Sequence, residues 1–214
     1  MRMNFLKNRL YIASDDIIMV HNVKRWHMRV IAGSARRLLL KTVEGMDTRP
    51  TQDRIKETLF NMIQNDLYGT AFLDLFAGSG GIGIEALSRG AKEAVFIDNG
   101  SRQVACIREN LKTTKLEDRA QVLNSDVISG LKMLERNGKR FDFIFMDPPY
   151  DHELEKQVME ALKDSHLADP DTLFIVEASL GTDFSWAAPM GYEIVRSKEY
   201  KTNKHVFLRK RDEN

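Results

Sequence analysis

The chain of 214 residues has a single cysteine, Cys106, which excludes an internal disulfide. Its five histidines, His21, His27, His152, His166 and His205, show no metal-ligand spacing with one another or with that thiol, so no metal is expected. No uninterrupted apolar run is long enough to cross a bilayer, and the N-terminal stretch lacks an apolar core followed by a small-residue cleavage site. The expectation is a cytoplasmic protein with no membrane partner. Internal repeats and low-complexity segments are absent, and the formal net charge is only +1. With 43% hydrophobic and 29% charged residues, disordered and fibrous classes are excluded, and the length suits one ordinary domain with an appendage.

What is present begins with a skewed distribution of charge. Lys24, Arg25, Arg29, Arg36, Arg37, Lys41, Arg49, Arg54 and Lys56 crowd the N-terminal part with few acids between them. Such a face suits a polyanion, a solvated basic surface being the plainer alternative. In the same region, residues 28–32 and 37–43 are strand-like runs around Gly33-Ser34-Ala35-Arg36 and predict a small hairpin. Thr48-Arg49-Pro50-Thr51 then starts a helix, proline being tolerated in a first turn, with Ile55, Leu59, Met62 and Ile63 on one face. Residues 1–27 show no clear period.

From Ala71 onward short apolar runs alternate with amphipathic stretches. Strands are expected over 72–76, 94–98, 121–123, 141–146 and 172–177, with helices between them. Ser101 is the expected N-cap of a helix carrying Val104, Ile107 and Leu111 on one face. Cys106, beside that stripe, reads as a buried thiol and not a nucleophile. Leu154, Val158 and Leu162 mark a later helix. This alternation predicts an α/β fold with a parallel sheet covered on both faces. Residues 192–199 and 205–209, joined by the polar segment 200–204, predict a closing hairpin that adds an antiparallel strand, an ending a doubly wound sheet does not require.

Between the first two of these strands lies a glycine-rich turn. Gly78, Gly80 and Gly83 fit the dinucleotide fingerprint, and Asp98, about 20 residues after the first glycine, is the acid expected at ribose hydroxyls. The spacing alone does not separate a nicotinamide dinucleotide from S-adenosylmethionine. Asp74 leans toward the second, because a carboxylate in the strand below the turn repels a pyrophosphate but suits an ammonium and a sulfonium. Asp126, followed by Val127, offers an acceptor for an adenine amino group, and Phe76 stands where the strand gives way to the turn. The plainer reading of Asp74 and Asp126 is a satisfied carboxylate at a strand end.

The most informative run is Phe141 to Tyr150, a hydrophobic strand ending in Asp147, Pro148, Pro149 and Tyr150. Consecutive prolines stiffen the backbone around them, so a carboxylate, a free carbonyl and a ring are held at fixed mutual distances. An exocyclic amine on a nucleobase is a poor nucleophile because its lone pair is delocalised. It needs acceptors for its hydrogens and a clamp for its plane, and these four residues can supply both. A tight turn after a buried strand is the competing reading.

Taken together, residues 74–91 and 145–150 resemble class I S-adenosylmethionine-dependent methyltransferases with the (D/N)PP(Y/F) amino-methylating signature. The segments Met28-Arg29-Val30-Ile31-Ala32-Gly33 and Thr48 to Glu57 narrow the resemblance to the bacterial 16S ribosomal RNA guanine-N2 methyltransferase family, over residues 28 to about 210. That resemblance implies a Rossmann-like sheet of seven strands, mostly parallel with the last antiparallel, plus the small N-terminal β-hairpin. It also implies S-adenosyl-L-methionine as cofactor, small-subunit rRNA or an assembled small ribosomal subunit as partner, and methylation of one guanine amine. A monomer is expected. The expected division is an extension over 1–27, which precedes the segment where family members begin, an RNA-contacting hairpin and helix over 28–66, and a methyltransferase domain over 67–214. Arg29, Arg36, Arg37, Arg49 and Arg54 are the candidate RNA contacts, and Asp147 with Pro148, Pro149 and Tyr150 the catalytic group. Three rivals stay open at this point: an adenine or cytosine amino-methyltransferase acting on DNA or RNA, an NAD-dependent oxidoreductase built on the glycine turn, and a non-catalytic RNA-binding assembly factor that keeps a dead cofactor pocket.

Overall fold

In the computed structural model, residues 28–43, 50–149 and 153–211 are described. The expectations for Arg49, Tyr150, His152 and residues 1–27 lie outside them.

Strands β1 (Met28–Arg29) and β2 (Leu39–Leu40) pair antiparallel, and helix α1 (Pro50–Ile63) follows. Then come β3 (Ala71–Leu75), α2 (Gly81–Ser88), β4 (Glu93–Asp98), α3 (Ser101–Thr114), β5 (Ala120–Asn124), α4 (Val127–Arg136), β6 (Phe143–Met146), α5 (Leu154–Leu162), β7 (Leu173–Ser179), β8 (Tyr192–Glu199) and β9 (Asn203–Lys210). Seven strands form one sheet in the order β5-β4-β3-β6-β7-β9-β8. The first five are parallel, while β9 runs antiparallel to both β7 and β8, so the fold expected from the sequence is the fold observed.

Strict alternation along the strands divides the core into two layers. Leu73, Leu75, Val95, Ile97, Ile144, Met146, Val176 and Leu208 pack on one face with Leu131 and Leu134 of α4 and Val158 and Leu162 of α5. Phe72, Phe96, Phe143, Phe145, Ile175 and Phe207 point the other way, against Leu59 and Phe60 of α1, Ile84 and Leu87 of α2, and Ile107 and Leu111 of α3. Each fully buried side chain of this size contributes about 1.5–3 kcal/mol relative to exposure.

The hairpin is fastened to this second layer by polar contacts. Glu85 of α2 is fully buried and accepts hydrogen bonds from the backbone N–H of Ile31 (2.8 Å) and Ala32 (3.0 Å) and from Arg89 Nε (2.8 Å). Lys56 Nζ of α1 lies 3.6 Å from the same carboxylate and donates to the carbonyl of Arg29 at 2.7 Å. Gly33, with φ of 84°, lets the chain pass over Ser88, where an added Cβ would sit 1.8 Å from the carbonyl oxygen. Further along, Asn110 of α3 accepts from the N–H of Lys41 and donates to its carbonyl.

Several local expectations need correction. Ser101 is the first helical residue of α3 and the N-cap is Gly100, whose backbone turns in without a side-chain cap. The hairpin strands are two residues each, shorter than the runs 28–32 and 37–43, because the N–H groups of Ile31 and Ala32 go to Glu85 instead of a cross-strand ladder. Phe76 leaves β3 in a left-handed conformation, φ 58°, and β6 begins at Phe143, two residues later than expected. At the other end β9 begins at Asn203, so the closing turn is tighter than 200–204. Among the described residues no helix is long and apolar enough to cross a membrane.

Candidate active site

The chain runs outward from β3 through β4 to β5, then returns to the other side of β3 for β6 and β7. Where strand order reverses in an open parallel sheet, the loops at the carboxyl ends diverge and leave a crevice. That crevice lies between β3 and β6. Leu75 is opposite Met146, so Phe76 and Asp147 leave adjacent strands side by side.

On the β3 side, Phe76, Gly78 and Gly80 all have positive φ, 58°, 56° and 78°. A bulky residue there is strained, and strain of this kind concentrates at functional loops. Asp98 shapes the turn, one carboxylate oxygen accepting from the N–H of Gly78 and the other from that of Gly100, both at 2.8 Å. Gly80 provides no side-chain cap for α2; Asp74 stands in for it, accepting from the N–H of Gly83 at 2.8 Å. A Cβ on Gly83 would lie 2.4 Å from the ring of Phe96, so α2 approaches β4 closely only with glycine there. Asp126 is exposed and N-caps α4 through the N–H of Ser129 at 2.9 Å, which holds its carboxyl below the ordinary range; Val127 begins that helix and is buried.

A cavity of about 350 Å³ joins the two sides. Its walls are Asp74, Phe76, Ala77, Gly78, Ser79, Gly81 and Ile82 from the glycine turn, Phe145 and Asp147 from β6, Glu177 and His205 from β7 and β9, and Met28, Thr42, Val43, Gln52, Asp53, Ile55 and Lys56 from the N-terminal segment. Gly80, Gly83, Asp98, Asp126, Val127, Pro148 and Pro149 are not part of this lining. Pro148 is buried and Pro149 exposed.

The cavity is acidic and short of counter-charge. Burial pushes Asp74 up to about 8, against the Gly83 N–H, which pulls the other way, with Asp98 adding to the rise. The Asp147 carboxyl is raised too, first by desolvation and then by the charges of Glu177 and Asp74. Asp147 as a whole residue is exposed at the mouth of the cavity, so water moderates the first of these effects; the two neighbouring carboxylates push in the same direction regardless. Lys56, the one lysine lining the cavity among the described residues, is committed to Arg29 and Glu85, and burial lowers its affinity for a proton.

Glu177 and His205 face each other across the β7–β9 ladder. His205 Nε2 lies 3.1 Å from Glu177 Oε2, its Nδ1 is 3.1 Å from the Tyr200 hydroxyl, and Asn203 Nδ2 donates to Glu177 Oε1. Asn203 Oδ1 is thereby left buried without a partner among the described residues, an arrangement that costs roughly 1–3 kcal/mol. Sequence reasoning did not reach Glu177, His205 or Lys56 as site residues. The available signal was an acid inside the apolar run 173–179, two positions after Ile175 on the face that also carries Phe145 and Asp147.

The candidate RNA contacts are dispersed over the N-terminal segment. Arg36, Arg37 and Arg54 are exposed, Arg37 with φ of 71°, and Arg29 Nε donates to Asp53 Oδ2 at 3.1 Å. Cys106 is half-buried, its Sγ within 3.3 Å of the carbonyl of Lys41. Among the described residues no group of three or more His, Cys, Asp or Glu side chains is placed to hold a metal ion.

A family profile described as "Conserved hypothetical protein 95" matches residues 28–209. The chain belongs to this family. The sequence is 41% identical over 150 residues to the "Putative rRNA methyltransferase YlbH" of Bacillus subtilis (strain 168), covering 70% of this chain and 82% of that one. It is 34% identical over 172 residues to the "Ribosomal RNA small subunit methyltransferase D" of Haemophilus influenzae, covering 80% and 88%. Among solved structures, "Putative methyltransferase yhhF from Escherichia coli" superposes with a TM-score of 0.74 at 30% identity, over 88% of this chain and 100% of that one. The membership expected from residues 28–33, 48–57, 74–91 and 145–150 therefore holds.

Proposed function

We propose that this protein transfers a methyl group from S-adenosylmethionine to the exocyclic N2 amine of a guanine in small-subunit rRNA. The observation that carries the proposal is an acidic cavity bounded on one side by the glycine turn and on the other by Asp147, the residue that leads into Pro148 and Pro149. Membership in a family with relatives named as rRNA methyltransferases supports the same reading.

The residues fit the cofactor. Four carboxylates, Asp74, Asp147, Glu177 and Asp53, line the cavity, the last paired with Arg29. Burial and neighbouring carboxylates raise the first two, and a ligand bearing an ammonium and a sulfonium relieves both effects. A pyrophosphate would aggravate them, which disfavours the NAD-dependent oxidoreductase. Asp74, Phe76, Gly78, Gly80 and Gly83 would hold it from the turn, with Asp98 and Asp126–Val127 at the ends of the next two strands. Bound there, S-adenosylmethionine supplies a methyl group made electrophilic by its sulfonium.

The rest falls to the protein. The target guanine, flipped from its stack at a cost of a few kcal/mol, offers its amine hydrogens to Asp147 and the Pro148 carbonyl, and Tyr150 supplies the clamp for its plane. Asp147 acts as acceptor and orienter, and the excess proton leaves to solvent after transfer. Most of the rate gain comes from positioning, because no new anion has to be stabilised. Residues 28–66 form the RNA-contacting part, through Arg29, Arg36, Arg37, Arg49 and Arg54, and residues 67–214 the catalytic domain. The working form is a cytoplasmic monomer acting on rRNA or the small subunit.

The test is to incubate the wild type and Asp147→Ala with labelled S-adenosylmethionine and naked small-subunit RNA, assembled subunits or DNA, and to map the label. The wild type should label one guanine of the small-subunit RNA; the variant should still bind the cofactor but transfer at least about a thousandfold more slowly. Label confined to DNA, or to adenine or cytosine, would replace the proposed target.

A further inference from the structure

We propose that Glu177 is the residue by which this site selects guanine, accepting the ring N1–H while Asp147 accepts from the neighbouring amine. This rests on the guanine reading above and deepens it. The amino-bearing bases differ in the ring atom beside the amine. Adenine and cytosine place the exocyclic amine beside a ring nitrogen that is an acceptor, whereas guanine places it beside N1–H, a donor. A site with an acceptor for the amine and a second acceptor next to it therefore admits guanine. It sets a lone pair against a carboxylate for the other two.

The sheet provides that second acceptor. Met146 is opposite Val176 on parallel neighbouring strands, so Asp147 and Glu177 are the next pair in register, on strands about 4.8 Å apart and at the same open end. Both side chains reach the same cavity. Asp147 stands on the face that carries Phe143 and Phe145, and Glu177 on the face that carries Ile175.

Glu177 is also aimed. Each of its oxygens is held from the β9 side, Oε2 by His205 Nε2 at 3.1 Å and Oε1 by Asn203 Nδ2. His205 is itself fixed by the Tyr200 hydroxyl at 3.1 Å and by the ring edges of Phe145 and Phe207. If the tyrosine hydroxyl donates to Nδ1, the imidazole proton is on Nε2 and the histidine donates to Glu177. A carboxylate offers about four acceptor sites. Two are occupied by these donors, and the side chain, which lines the cavity, remains 19% exposed. A carboxylate serving only to tie β7 to β9 has no need of that opening. The outer residues, His205, Tyr200 and Asn203, act through Glu177 and are positioning residues.

The experiment compares small-subunit RNA carrying guanine at the mapped position with the same RNA carrying 2-aminopurine, which keeps the amine but replaces N1–H with an acceptor. The wild type should prefer guanine by roughly 100-fold in kcat/KM, the scale of discrimination of a good base-edge contact. Glu177→Gln turns an NH2 toward N1, so the preference should fall to within about tenfold or invert. Equal wild-type rates on the two RNAs overturn the proposal without any variant. So does a Glu177→Gln enzyme that is slower on both by the same factor, the signature of a purely structural role. No methylation of the guanine RNA by the wild type overturns the functional reading itself, and this proposal with it.

Discussion

Asp74 occupies a position where the alternation of β3 calls for an apolar side chain: Phe72 before it is in the core, and Asp74 is almost as deeply buried. It caps α2 through Gly83 and lines the cavity. Its carboxyl ordinarily ionises near 3.8 and here is pushed up to about 8. Below the lower value both the folded and unfolded chains hold the proton. Between the two, unfolding releases it, so this group's contribution to stability falls as pH rises, by up to about 1.4 kcal/mol per unit. Above the upper value the loss is complete. Asp74→Asn should therefore raise Tm over the wild type little at about pH 5 and distinctly more at about pH 8, read by thermal melts across that range. A difference independent of pH would mean that the folded protein accommodates the charge without cost.

At the scale of elements, α2 serves two partners at once. Its first turn is capped from β3, while Glu85, one turn on, receives two backbone N–H groups from the hairpin and faces Lys56 and Arg89. Breaking a buried ion cluster by removing one member typically costs about 3–5 kcal/mol, because the remaining charges stay buried. Glu85→Ala should lower unfolding stability by that order and speed hydrogen exchange at Ile31 and Ala32; a decrease under about 1 kcal/mol in denaturant titration would show that the hairpin is held by packing alone. The same element shows where the sequence was legible. The central strands could be read because buried parallel strands are continuous apolar runs, and the glycine turn because its φ angles demand glycine. The hairpin's extent could not, since its backbone is satisfied by a side chain more than fifty positions away. Nor could the pairing of Glu177 with His205, which depends on the β7–β9 register and leaves no local pattern.

Over the whole molecule, a near-neutral chain carries exposed arginines on the same N-terminal segment that walls the cavity. On the proposed function, RNA held by that segment lies beside the cavity that Asp147 lines. Replacing Arg36 and Arg37 with glutamine should weaken RNA binding and reduce the slope of log affinity against log salt by about 0.7 for each phosphate no longer neutralised, leaving cofactor affinity unchanged. Binding measured over a salt series decides this, and an unaltered slope removes these two side chains from the interface. The asymmetry in charge was visible in the sequence, but the place of that segment in the cavity wall was not, because the hairpin is tied to α2 by contacts more than fifty positions apart.

The order of the strands also bears on how the protein is born. Ala71 donates its N–H to Asp142, 71 positions later, and the last wall of the cavity arrives only with His205. A ribosome must therefore deliver the chain through His205 before the cavity has all of its walls, and a nascent product stalled ahead of β9 has the glycine turn but lacks the wall that β9 supplies.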